Sequence, residues 1–564
     1  MSITSASGRT VRGAEVASTD ALRSVPLFAS LPDSLLSEIA GHARLVTLRA
    51  GEWLCHKGDS GDALFVVRSG RLEVFADDAE PSPLRLLLRG SVVGELALLT
   101  GAPRSASVRA RRDSSLLEVS REDFVALLDE PHFAQGLLRI LGTRLRDSRI
   151  LGRPEGLPVT IAILPLDPAP DACGFGDRLV AALGRWRQVA RIASDHRDHD
   201  AAWAATLDRY EREHDNVLLE GAFPGGTGWN EFCLRQADRV ICLTGGAVPD
   251  DIARHAQLRG CDLVVCAPTY GRVDLGPVVE ALRPRVSHVL RPGPAFGRGV
   301  ERLGRRLAER SIGVVLSGGG ARGLAHIGVL EELLAAGVEI DRVAGCSMGA
   351  FIGAMFAMGL DPAAIKRNCE AELVRRKPLG DYTVPVYSVV RGKRGIDMLE
   401  RVFGGARIEE LDREFFAVSC DLVSGELVVH RRGRVVDAVA ASMSLPGVLP
   451  PVQRDGRMLV DGGVLNNLPV KEMAKDGEGP VIAVDVTAQF GGPRDVGRNP
   501  RLKEVLVRAI SLGSVEAVNA AREAADVLIT PEVSGVGMLD FSCLDGMVEA
   551  GRRAAREALA TAPI

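Results

Sequence analysis

Ser347 stands between two glycines in Gly345-Cys346-Ser347-Met348-Gly349, the spacing G-x-S-x-G. A serine hydroxyl held out on a sharp strand-to-helix turn is a nucleophile for an ester carbonyl. The context fits: an apolar segment ending Asp341-Arg342-Val343-Ala344 leads in, and a small-residue, helix-like run from Ala350 to Met358 follows. Gly345 and Gly349 leave room at the shoulders of the turn. Ser347 then sits at a helix N-terminus, where the helix dipole favours developing negative charge. In a chain with 62 glycines the pentapeptide alone also fits a chance match. Two more stretches bear on it. Ser317-Gly318-Gly319-Gly320-Ala321-Arg322-Gly323 joins the apolar Ile312–Leu316 to a helix from Leu324. Such a loop turns backbone N–H groups toward an anion. As an oxyanion hole, each donor is worth about 3 kcal/mol. Gly318, Gly320 and Gly323 also fit a dinucleotide fingerprint, but no acidic residue ends a second strand at the required distance. Asp461-Gly462-Gly463, after Met458-Leu459-Val460, supplies a carboxylate.

The elements around these residues read as several domains, as 564 residues lead one to expect. From 22 to 150, short strands alternate with glycine turns and imply a β-barrel or jelly roll. Val46–Leu48, Trp53–His56, Ala63–Val67, Arg71–Phe75 and Leu84–Leu88 are the expected strands, and Arg121–Arg149 is expected to be helical. From 158 to 310, strands and helices alternate, as in a parallel sheet covered on both faces. The strands there are Val159–Leu164, Asn216–Glu220, Arg239–Thr244 and Cys261–Pro268, with helices at Phe175–Trp186, Ala201–Glu213, Glu231–Asp238 and Asp250–Arg259. Its glycine loops lack a phosphate-binding lysine, so the region reads as a spacer or coupling domain. Pro/Gly stretches at 152–158 and 291–299 bound it as linkers. Residues 311–564 form the α/β domain that carries Ser347. Leu502–Ala524 and an amphipathic Phe541–Leu559 are its last expected helices, and Gly491–Pro500 is a polar loop.

Residues 1–21 form a flexible, Ser/Gly/Ala-rich N-terminus without the apolar core of a signal peptide. The run after Ser347 is too short and Gly-interrupted to span a bilayer, which needs about 20 apolar residues. The net charge of −4 gives no sign of a nucleic-acid partner. The 10 cysteines contain no C-x-x-C pair and read as reduced thiols of a cytoplasmic protein.

The segment Gly94-Glu95-Leu96-Ala97-Leu98-Leu99-Thr100-Gly101-Ala102-Pro103-Arg104-Ser105 resembles the phosphate cassette of cyclic nucleotide-binding domains. That resemblance implies that Glu95 accepts from the ribose 2′-hydroxyl and Arg104 forks onto the cyclic phosphate. Ser105 and the backbone near Gly94 and Leu96 complete the nest. Adenine and guanine remain equally open. Gly318–Gly323, Gly345–Gly349, Asp461–Gly463 and the block Ala441-Ser442-Met443-Ser444-Leu445-Pro446-Gly447 together resemble the patatin-like phospholipases. The domain order is similar to that of neuropathy target esterase and its bacterial relatives.

The resemblance implies a Ser347–Asp461 dyad, with Gly318, Gly319 and Gly320 binding the oxyanion. Gly323, Gly345, Gly349, Gly462 and Gly463 support the motifs. Arg322 has a loop-supporting role, a lipid-phosphate role and a plain salt bridge open to it. A Ser–His–Asp triad would need His326 or His430. His326 reads as a buried structural histidine and His430 as strand-edge surface, so the dyad is preferred. The expectation is a serine lipid acyl hydrolase acting on phospholipids or lysophospholipids. It needs no metal or catalytic cofactor, takes cAMP or cGMP as effector, and touches a membrane only peripherally. The alternative is a cyclic-nucleotide receptor whose patatin-like domain serves as a scaffold. Head group, chain length and oligomeric state are not legible.

Overall fold

The computed structural model describes residues 3–4, 10–11, 19–23, 27–28, 31–76, 84–147, 159–168, 172–193, 200–223, 228–246, 258–267, 273–384, 386, 388–474, 477–487 and 512–561. The chain divides into two compact units, 1–164 with 188–240 and 165–187 with 241–564.

The first unit opens with eight antiparallel strands in two sheets. They are β1 (Arg44–Leu48), β2 (Trp53–Cys55), β3 (Ala63–Ser69), β4 (Leu72–Phe75), β5 (Arg85–Leu87), β6 (Val92–Val93), β7 (Ser107–Ala110) and β8 (Ser114–Ser120). The orders β1-β8-β3-β6 and β2-β7-β4-β5 make a jelly roll. Helix α1 (Glu95–Thr100) interrupts it between β6 and β7. The long helix expected over 121–149 is two helices, Arg121–Leu128 and Pro131–Asp147. Pro131 lacks a backbone donor and opens the second rather than continuing the first. Of the N-terminal 21 residues, most lie outside the described ones, and Thr19–Arg23 is a helical turn.

The same unit holds three parallel strands, β9 (Val159–Pro165), β10 (Val189–Ala193) and β11 (Asn216–Glu220), with β11 between the other two. The jelly roll is locked to them through the turn before β8. Arg112 forks onto Glu211 at 2.6 and 2.7 Å, Arg235 reaches Asp113 at 2.8 Å, and Arg71 pairs with Asp238.

The second unit contributes another parallel trio, β12 (Arg239–Thr244), β13 (Asp262–Cys266) and β14 (Val286–Leu290). The expected helix at 250–259 falls largely outside the described residues. Where a linker was expected, helix α2 (Pro294–Leu307) begins instead, since proline is well placed in a first helical turn. Its end is heavily charged yet buried. Arg305 forks onto Asp341 at 2.7 and 2.8 Å, and Arg306 bonds Glu478 at 2.8 Å and Glu414 at 2.6 Å.

The main sheet of this unit contains β15 (Ile312–Leu316), β16 (Ile340–Gly345), β17 (Glu414–Asp421), β18 (Leu427–His430), β19 (Val452–Arg454), β20 (Arg457–Asp461), β21 (Val481–Val484) and β22 (Val527–Ile529). Its order is β19-β20-β17-β16-β15-β21-β22, with β18 added on β17. The central strands are parallel and largely apolar, as strands covered on both faces must be, though β16 carries the buried Asp341 and Arg342. Helices α3 (Ala325–Ala335) and α4 (Met348–Ala357) follow β15 and β16. Every residue of α4 is buried, which identifies it as a core helix. Later come α5 (Lys393–Phe403), α6 (Val435–Met443) and α7 (Leu544–Thr561). Helices α3 and α7 cross backbone to backbone, because a Cβ on Gly328 would lie 1.9 Å from the Val548 carbonyl. The expected final helix keeps its place but starts with a short 3-10 turn, Phe541–Cys543. Of the helix expected over 502–524, Val515–Ala524 is described, and the loop 491–500 lies outside the described residues.

Candidate active site and nucleotide site

Three strand ends meet in the second unit. β15 runs into the glycine loop, β16 into Ser347, and β20 into Asp461. Gly345 pairs with Ala417 and Asp461 with Ser419, so β17 holds the strand that leads to Ser347 and the strand that ends at Asp461 at a fixed offset. The turn at Ser347 is as tight as its glycines require. A Cβ on Gly345 would lie 2.4 Å from the backbone of Gly349, and one on Gly349 would lie 2.1 Å from the Leu316 carbonyl. Ser347 takes φ +52° and ψ −119°, a conformation that side chains rarely adopt. Strain of this kind costs about 1–3 kcal/mol and persists only where the surroundings over-determine it. Here they do: the Ser347 N–H donates to Ser442 Oγ at 2.9 Å.

Asp461 is buried at the end of β20. Its Oδ1 accepts from the Gly463 N–H at 2.8 Å and from the Cys346 thiol at 3.4 Å. Its own N–H donates to the Ser444 carbonyl at 3.0 Å. Burial raises its pKa above the usual carboxylate range. The Gly463 N–H, the Ser347 hydroxyl and the Cys346 thiol each pull it back only in part. A carboxylate made more basic in this way is a better acceptor for an alcohol proton. The same burial, with Asp461 alongside, pushes the Cys346 thiol well up, so it stays protonated and donates.

The glycine loop lies against the nucleophile, since a Cβ on Gly318 would come within 3.0 Å of the Ser347 Cβ. Gly318 itself is clamped: its N–H donates to Asn467 Oδ1 at 3.2 Å, and its carbonyl accepts from Asn467 Nδ2 at 3.0 Å. Among the described residues nothing accepts from the N–H groups of Gly319 and Gly320. Gly323 passes so close to Met348 that a Cβ there would lie 2.5 Å from its side chain. Gly462 makes a similar approach to the Val418 carbonyl. Arg322 Nε donates to the Val536 carbonyl at 2.8 Å, a bond that supports the loop.

Neither histidine reaches the pair. His326 is fully buried, donates from Nε2 to the Ser317 carbonyl at 2.8 Å, and is held neutral by burial, which lowers its pKa to about 4. His430 is half-buried rather than on the surface. It lies 2.7 Å from Ser419 Oγ, and burial lowers its pKa to about 4 as well. Sequence reasoning missed Asn467 and Ser442 as positioning groups. An adjacent Asn466-Asn467 pair inside an apolar stretch was the one local signal for the first.

In the first unit, Gly94 (φ +92°) opens α1 directly before Glu95 and packs against Arg104. A Cβ on Gly94 would fall 1.8 Å from Arg104 Nη1. Both Glu95 and Arg104 are buried, while Ser105 and Leu96 are exposed. The loop bearing Arg104 is anchored at both ends: its N–H donates to the Asp59 carbonyl and its own carbonyl accepts from Gly58, each at 2.9 Å. Nη2 donates to the Ala63 carbonyl at 2.8 Å. A buried guanidinium and a buried carboxylate near a helix start are groups that can bond a cyclic phosphate and an adjoining ribose hydroxyl.

Comparison with known proteins finds a family for each of the two domains. The patatin-like phospholipase family matches residues 314–474, and the cyclic nucleotide-binding domain matches residues 45–130. Uncharacterized NTE family proteins of Mycobacterium tuberculosis and Mycobacterium bovis are each 35% identical over 96% of this chain and 96% of their own. Lysophospholipase NTE1 of Coccidioides immitis is 27% identical over 91% of this chain and 40% of its own length. The mouse patatin-like phospholipase domain-containing protein 7 is 28% identical over 78% and 38%. Among the described residues no helix is long and apolar enough to cross a membrane.

Proposed function

We propose, from the premise that this chain belongs to the NTE family, that it is a serine lipid acyl hydrolase with a Ser347–Asp461 dyad. The observation that carries the reading is the strained Ser347 turn beside a buried carboxylate of raised pKa. Ser347 Oγ attacks the ester carbonyl of a phospholipid or lysophospholipid while Asp461 takes its proton. The N–H groups of Gly319 and Gly320 receive the oxyanion. The tetrahedral intermediate collapses, the C–O bond breaks, and Asp461 returns the proton to the departing alcohol. Water then attacks the acyl-enzyme, giving its proton to Asp461; the acyl–Oγ bond breaks, Asp461 returns that proton to Ser347 Oγ, and the fatty acid leaves. Cyclic AMP or cyclic GMP binds between Glu95 and Arg104 and shifts this activity. A coupling of about 1–3 kcal/mol would be ordinary.

The test is hydrolysis of a short-chain ester and of a lysophospholipid by wild type and Ser347→Ala, with and without each nucleotide. The expected result is turnover that disappears in the mutant and changes with nucleotide. Turnover that survives the mutation assigns another nucleophile. Nucleotide binding without any turnover in wild type favours the receptor–scaffold alternative.

A further inference from the structure

Between 376 and 392 the second unit carries a hairpin-like loop with an unusual surface. Tyr382 bridges Val390, and the Thr383 N–H donates to the Val389 carbonyl at 3.0 Å, so the loop is ordered at its base. Toward its tip the apolar side chains face water: Tyr382 is 70% exposed, Val384 78% and Val386 71%. Val389 and Ile396, in the first turn of α5, are exposed beside them. Single exposed apolar residues are ordinary, but a group of them on one projecting segment marks an interaction surface.

The flanks of this loop are cationic. Lys377, Arg391, Lys393 and Arg394 are exposed, and none is in an ion pair among the described residues. Arg375 and Arg376 are taken by Glu370 and Glu372. The acids of the stretch, Asp381 and Asp397, are outnumbered. The base of the loop is fastened to the segment that holds the catalytic pair. Val389 donates to the Gly447 carbonyl at 3.1 Å and Val390 to the Val448 carbonyl at 3.0 Å. A few residues upstream, Ser442 and Ser444 bond the backbones of Ser347 and Asp461.

We propose that the loop bearing Tyr382, Val384 and Val386 docks the protein onto an anionic lipid surface, inserting these three side chains among the acyl chains while Lys377, Arg391, Lys393 and Arg394 lie at headgroup level. The inference rests on the lipid hydrolase reading, which requires a substrate drawn from a bilayer to a site beside the loop. Apolar insertion and attraction of cations to anionic headgroups reinforce one another at such a surface. A second copy of the chain is the poorer partner, because pairing like surfaces would set the same cations against each other.

The test is cosedimentation of the full chain with phosphatidylcholine vesicles, with and without phosphatidylglycerol. It compares wild type with Val384→Asp/Val386→Asp and Arg391→Glu/Lys393→Glu/Arg394→Glu. Wild type is expected to bind the anionic vesicles, and to bind less in high salt. Both variants are expected to lose at least tenfold, since each cation near such a surface contributes about fivefold. Melting curves and hydrolysis of a water-soluble short-chain ester should match wild type. The proposal is overturned if wild type stays in the supernatant, or if the variants bind equally well. It is also overturned if light scattering shows a dimer that the variants break, which would assign the surface to self-association. Vesicle binding is read without turnover. Binding that follows the expected pattern in a chain that hydrolyses no ester would keep the docking surface and discard the proposed function.

Discussion

Cys346 Sγ lies 3.4 Å from Asp461 Oδ1, so the residue just before Ser347 also serves a carboxylate 115 positions away. The thiol is fully buried and protonated, and it therefore stabilises the ionised form of Asp461.

Removing that donor raises the pKa of Asp461 further. Turnover needs the carboxylate ionised and is lost as pH falls through this pKa. The acidic limb of the kcat/KM profile should therefore move to higher pH in Cys346→Ala. Cys346→Ser keeps a donor and should leave the limb near its wild-type position. Coincident profiles for wild type and Cys346→Ala would dismiss the thiol from any part in tuning the base.

Asp461 also makes an activity–stability trade testable. Its pKa is raised on folding, so the folded state binds this proton more tightly than the unfolded state does. The stability it contributes is full below the ordinary carboxylate pKa and is lost as pH rises through the folded pKa. Asp461→Asn removes the buried charge. It should cut turnover by about 10²- to 10⁴-fold and still melt higher than wild type at neutral pH. The difference should close as the buffer is made acidic. A variant that melts lower at every pH would contradict the buried-charge account.

Asn467 binds both backbone groups of Gly318, across 149 residues of chain. Asn467→Ala frees the glycine loop at its first residue and leaves two buried polar groups without their partner. The expected cost is about 1–3 kcal/mol in stability, with a fall in kcat and little change in KM. Steady-state kinetics with a soluble ester separates the two. A rise in KM alone would place Asn467 in substrate binding instead.

Arg104→Ala removes the cation that the proposed phosphate needs. Calorimetry should show cyclic nucleotide affinity reduced by roughly 10- to 100-fold, the value of a charge-assisted hydrogen bond. Gly94→Ala should do nearly as much with the arginine intact, because its methyl group would occupy the position of Arg104 Nη1. Unchanged affinity in both variants would move the nucleotide away from this loop.

The parts legible in the sequence are those whose cause is local. Gly345 and Gly349 announce a turn because no side chain fits there, and the strands at β15 and β21 announce themselves as unbroken apolar runs. The expected jelly roll and parallel sheets are present. Val189–Ala193 and Val286–Leu290 went unread as strands because each is short and mixes polar residues into the apolar pattern. Ser442, Asn467 and the Cys346–Asp461 bond were unreadable for another reason. Each joins residues roughly a hundred positions apart, and nothing in either local pattern names the other.

The buried charges at the end of α2 bear on how such a protein can be taken apart. Arg305 and Arg306 precede the sheet that carries Ser347, yet they neutralise Asp341, Glu414 and Glu478 inside it. An isolated buried carboxylate is far costlier than a paired one. A gene cut at the first strand of that sheet would leave Asp341 without Arg305 and would take Arg306 from Glu414 and Glu478, leaving Glu414 to Arg431 and Glu478 to Arg342 at 3.9 Å. The catalytic half is therefore not a portable cassette. A recombination event, or a cloning primer, that carries it elsewhere must carry α2 along with it.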